Sequence, residues 1–173
     1  MNQEKIKAYW EPVFKTLYEA YYQEFASEAL IKRWEWIDIV TALLVAATVS
    51  GSAVAGWALW NEPGFKNVWA IIAGIASIAS IGHGVMRVPS RVKEQTELRR
   101  MFSELRVDLE TFWQQLRIGY INEGEVGNKY NRFRERLSQC MGHAHPDPVF
   151  TIKFRSEIQK RLNKELKEKG YIP

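Results

Sequence analysis

Three groups of residues have types and spacings that can do chemistry. Cys140, His143 and His145 form a C-x2-H-x-H run. Thiolate and imidazole are zinc ligands, but a tetrahedral site needs a fourth donor and this loop is short for one. No metal or cofactor is therefore expected. Arg136 and His143 stand at an R-x6-H spacing. Asp38 and His83 lie at the edge of, or within, long stretches without Asp, Glu, Lys or Arg, where an ionisable group is expensive unless water or a partner receives it. No glycine-rich phosphate loop, paired-carboxylate site or Ser/His/Asp order stands beside these, so the chain is expected not to be an enzyme.

Basic residues form the most extensive feature of this kind. From Arg87 onwards there are 18 Lys and Arg against 12 Asp and Glu. Lys129, Arg132 and Arg136 share a helical face with Tyr130 and Phe133 nearby, while Lys153, Lys160, Lys164 and Lys167 share another. Such patches suit anionic lipid headgroups, which attract a juxtamembrane base by about 1 kcal/mol. They equally suit a nucleotide or oligonucleotide on whose bases the aromatics stack. An ordinary solvated helix face gives the same pattern.

The elements that must position these residues are helices. Ile39–Trp60 is a run of 22 residues without Asp, Glu, Lys or Arg, and Asn67–Met86 is a second run of 20. As helices they reach roughly 33 Å and 30 Å, the thickness of bilayer hydrocarbon. A pair of buried core helices of that length would ordinarily show a charged stripe. Trp34, Trp36, Trp57, Trp60 and Trp69 flank the runs, as indoles do at a membrane–water boundary. Seven basic residues (Lys32, Arg33, Arg87, Arg91, Lys93, Arg99, Arg100) lie on one side, against Lys66 in the turn at 61–66. The loaded side is expected to be cytoplasmic, with both termini inside and the hairpin tip outside. The charged and aromatic residues 1–36 do not read as a cleavable signal peptide, and a single Cys140 fits a reducing compartment.

The expected architecture is thus all-α: an N-terminal aromatic amphipathic helix in 1–35, a two-span transmembrane hairpin in 36–88 with spans at 37–60 and 67–86, and a cytoplasmic helical bundle in 89–173. Tyr9, Trp10, Phe14, Tyr18, Tyr21, Tyr22 and Phe25 mark the first helix, with Pro12 in its first turn or at a kink. Pro89-Ser90 marks a joint, with Ser90 as N-cap. Leu98, Phe102, Leu105, Leu109, Phe112 and Leu116 follow steps of four and three, an a/d seam that closes either an intramolecular bundle or a contact between subunits. Gly119, Gly124 and Gly127 are expected to end that helix, with further helices near 128–141 and 151–169.

Within the hairpin, Asp38, Thr41, Thr48 and Ser52 fall on one face of the first span, opposite Leu43, Ala46 and Val54. Ala73, Ser77, Ser80 and Gly84 make a small-residue stripe on the second, with His83 one position away. Small residues let helices approach closely. The alternative is that the first-span stripe lines a conducting path, with Ser77, Ser80 and His83 serving packing or the pore.

The order of parts, with Tyr18-Glu19-Ala20-Tyr21-Tyr22 in the first helix and the long helix from Ser90, resembles the SLATT-type two-transmembrane effectors of bacterial anti-phage systems such as CBASS, Hailong and some retron operons. That resemblance covers the whole chain as an architecture. It implies a homo-oligomer of four or more subunits in the bacterial inner membrane that opens an ion-conducting pore and depolarises the cell, with abortive infection as the outcome. It also implies a partner such as a nucleotidyltransferase that generates the signal. A non-conducting membrane anchor explains the same spans. The Arg136 and His143 spacing is similar to the active-site motif of HEPN ribonucleases, which implies a membrane-tethered ribonuclease instead.

Overall fold

The structure is a computed structural model that describes residues 7–58, 63–144, 146–148 and 150–171, without the side chains of 49–58, 63, 65, 66 and 123. Among the described residues five helices follow one another: α1 Trp10–Ala58, α2 Pro63–Met86, α3 Val88–Ile118, α4 Glu123–His143 and α5 Ile152–Glu168. Among the described residues there is no strand. The all-α class holds. The chain divides into two compact units, Met1–Leu30 with Gln95–Pro173 (unit 1) and Ile31–Glu94 (unit 2).

Unit 1 is a helical bundle whose core follows from apolar residues at helical spacing. Val13, Leu17, Ala20 and Tyr21 of α1, Phe102, Leu105, Leu109, Phe112 and Leu116 of α3, and Phe154, Ile158, Leu162 and Leu166 of α5 are all buried. Each large apolar side chain removed from water contributes about 1.5–3 kcal/mol. The 98–116 seam is therefore closed within one chain, which removes it as a contact between subunits. Its positions face the stripe of α1 because both repeat every three to four residues. α4 is a thinner layer: among its described side chains only Val126 and Cys140 are buried, while Tyr130, Phe133, Arg136 and Leu137 are half-buried.

Local signals set the helix ends. Pro12 sits in the first turn of α1, where a missing N–H costs no helical bond. Thr151 caps α5, its hydroxyl accepting from the Phe154 N–H at 3.3 Å. Three expectations need correction. The first helix is not set apart from the first span, because α1 stays helical from Trp10 to Ala58. Ser90 is not an N-cap: the joint falls at Arg87, which takes the left-handed φ of 50°, and Pro89 and Ser90 lie inside the first turn of α3. Only Gly119 ends α3, with φ 73°, a conformation that glycine adopts freely. Gly124 and Gly127 lie within α4. At Gly127 a Cβ would stand 3.2 Å from the Tyr9 hydroxyl, close enough that the tyrosine would have to shift by a few tenths of an ångström.

In unit 2, Asn67–Met86 is a helix long and apolar enough to cross a membrane, and only 6% of it is buried. Ile71, Ile75, Ile78, Ile81 and Val85 stand exposed along it.

Candidate functional site

The hairpin residues of unit 2 are placed by two helical faces. On α1, positions 37, 40, 41, 44, 45 and 48 are half-buried, while Leu43, Ala46 and Ala47 are exposed. On α2, Ala76 is buried and Trp69, Ala73, Ala79, Gly82 and His83 are half-buried, whereas Ser77, Ser80 and Gly84 are exposed. The two faces are tied by a hydrogen bond of 2.6 Å between His83 Nε2 and Asp38 Oδ1. Each ionisable group thus has the partner that the sequence reading required, and alanine and glycine on the covered face of α2 allow the helices to come close.

This arrangement redistributes the expected site. Thr41 and Thr48 lie on the covered side of α1, and the Thr48 hydroxyl donates back to the carbonyls of Leu44 at 3.1 Å and Val45 at 2.8 Å. A threonine bonded to its own helix packs as an apolar residue with its hydroxyl satisfied. Ser52 lies outside the described side chains. Ser77 also bonds back, to the Ala73 carbonyl at 2.8 Å, yet it faces outwards with Ser80. Neither serine packs between the two helices, because the tight face falls one position earlier on the α2 wheel, at Ala73, Ala76 and Ala79.

The chain matches no protein family, no curated protein and no solved structure.

A basic groove of about 380 Å³ runs between α3 and α4 in unit 1. Lys129, Arg132 and Arg136 line it together with the rings of Phe112 and Phe133, so the structure brings these three cations onto one surface. Arg136 is engaged by Asp108 at 2.6 Å, and Lys129 lies 3.7 Å from Glu125. Lys160 and Lys164 stand exposed on α5 and do not line this groove. His143, exposed, is the last residue of α4, and Cys140 is buried, which pushes its thiol above the ordinary range and keeps it protonated. Among the described residues no three His, Cys, Asp or Glu side chains gather to hold a metal, and His145 lies outside them.

One charged cluster escaped the sequence reading. Arg106 donates through Nε to Glu24 at 2.5 Å and through Nη1 to Glu110 at 2.9 Å. The Tyr21 hydroxyl donates to Glu110, and Lys169 donates to the Tyr21 oxygen at 2.8 Å and lies 3.1 Å from Glu165. The cluster binds α1, α3 and the end of α5. Burial raises the Tyr21 phenol above its ordinary value, and the bond to Glu110 adds to it. Burial opposes the charge of Lys169, but its bonds to Tyr21 and Glu165 prevail and raise it. The i,i+4 spacing of Arg106 and Glu110 was readable in advance. Glu24, more than eighty positions away, was not.

Proposed function

We propose that this chain is a membrane effector: it crosses the bacterial inner membrane twice with both termini cytoplasmic, assembles with itself, and conducts ions that depolarise the cell during an anti-phage response. The observation that carries the membrane part is the exposure of α2, a helix of mean hydropathy 1.7 over 20 residues of which only 6% is buried. Apolar surface of that extent is stable in lipid and not in water. The uncharged end of α1 supplies the second crossing, and the Asp38–His83 bond supports the pairing of the two.

Two helices per chain cannot enclose a path, so conduction needs a closed ring of copies, four or more. Exposed Ser77 and Ser80 support the second helix as the lining, with Thr41 and Thr48 packing inside each hairpin. Hydroxyls keep a narrow path wet, and a leucine in their place closes it by dewetting. A potential-sensitive dye in cells expressing the protein tests this. Ser77→Leu and Ser80→Leu should abolish depolarisation while oligomer size in mild detergent stays unchanged. Normal conduction by both variants, with conduction lost in Thr48→Leu, would return the lining to the first helix. Tags at residues 1 and 173 should both report inside, and a tag between Asn61 and Lys66 outside.

A second reading, a non-conducting anchor, is favoured by one observation: the Thr48 hydroxyl, half-buried on the side of α1 that is covered, donates to its own backbone. Oligomers that insert without dissipating the potential would establish it. Under either reading the basic groove of Lys129, Arg132 and Arg136 would hold an anionic headgroup or the signal made by a partner nucleotidyltransferase.

A further inference from the structure

Unit 1 contains a second cavity, of about 360 Å³, that no charge pattern in the sequence announced. It lies among α1, α3, residues 144, 146, 147 and 150, and the start of α5, lined in part by Leu30, Leu98, Phe102 and Phe150. Of the polar side chains that line it, Ser27 and Gln95 are each only 4% exposed. Among the described residues no hydrogen bond engages either one, so their polar atoms are left to the cavity. A few polar side chains converging on a largely apolar cavity are the usual mark of a binding site.

The chemistry of the lining narrows the ligand. A glutamine carboxamide presents a donor and an acceptor side by side, the pattern that pairs with the adjacent acceptor and donor of a base edge. Phe102 and Phe150 offer aromatic surface to a planar ring. Arg155, whose guanidinium lies 4.9 Å over the Phe150 ring, and Asp147 contribute one charge of each sign. The lining therefore carries no net charge and does not select an anion, unlike the groove on α4. The volume admits one small molecule, at the low end of ligand pockets.

We propose that this cavity binds an uncharged planar heterocycle with a lactam or amidine edge, of the class of a nucleobase or nucleoside, read by Gln95 and Ser27. The proposal concerns unit 1 alone and is independent of whether the protein conducts.

The test uses the full-length protein in detergent micelles, titrated with adenine, uracil, their nucleosides, AMP and indole by calorimetry and saturation-transfer NMR. At least one base or nucleoside should bind saturably. Gln95→Leu should weaken it tenfold or more, and AMP should bind no tighter than adenosine. Absence of binding by every base and nucleoside overturns the proposal, as does equal affinity in Gln95→Leu or indole binding as tightly as the best base. AMP binding far tighter than adenosine overturns the uncharged class. Should Gln95→Leu lose its cooperative melting, Ser27→Ala and Phe150→Ala decide instead: weakened binding in both supports the site, and unchanged affinity in both overturns it.

Discussion

In unit 1 the apolar side chains at helical spacing are turned inwards: Leu105, Leu109, Leu162 and Leu166 are 0% exposed. In unit 2 the same kind of residue is turned outwards, with Ile78 at 73% and Val85 at 77% exposed. Both patterns have a helical period, so periodicity alone does not distinguish them. The charges do: every buried stripe of unit 1 is backed by a polar face, whereas 67–86 carries no Asp, Glu, Lys or Arg at all. A helix so little covered within its own chain, and without a charged face, suits the apolar surrounding that the proposed membrane crossing would supply.

That contrast can be broken by truncating one leucine or isoleucine in each unit. Leu105→Ala or Leu109→Ala should destabilise unit 1 by about 3–5 kcal/mol, since transfer and cavity terms add. Ile78→Ala on α2 should change unfolding in micelles by less than about 0.5 kcal/mol. Urea unfolding followed by circular dichroism checks both, and equal losses would erase the distinction. Arg106→Ala should cost about 2–3 kcal/mol, because it strands Glu24 and leaves Glu110 to Tyr21 and Lys169, with both carboxylates mostly shielded from water.

A smaller effect comes with pH. Tyr21 and Lys169 both hold their protons more tightly in the folded chain than in the unfolded one. Their contribution is thus complete below about pH 10 and lost as pH rises through the folded values. The melting temperature of unit 1 should fall above pH 10, and Tyr21→Phe should flatten that fall. Thr151→Ala should cost least, about 1 kcal/mol, through the lost cap of α5.

Much of this organisation was legible in the residue order. The uncharged run at 67–86, the 98–116 stripe and the basic set Lys129, Arg132 and Arg136 each follow from local spacing, which a helix converts directly into a face. The location of the joints was less so. Arg87 takes a conformation that its side chain does not announce, and Gly124 looks like a breaker while serving inside a helix. Contacts between distant segments stayed out of reach: nothing local marks Glu24 as the partner of Arg106, or Gln95 and Ser27 as neighbours of one cavity. The stripes of the hairpin illustrate a finer limit. Thr48 and Ser77 both look suited to line a path, and only the pairing through Asp38 and His83 decides which of them is covered.

The central claim is that copies of this hairpin together conduct ions, and planar-bilayer recording of the purified full-length protein tests it most directly. Discrete current steps are expected, from particles that mass photometry sizes at four chains or more, and Ser77→Leu should abolish the steps without altering that size. A protein that enters the bilayer as the same oligomer and leaves the membrane electrically silent, with or without extract from phage-infected cells, would contradict it.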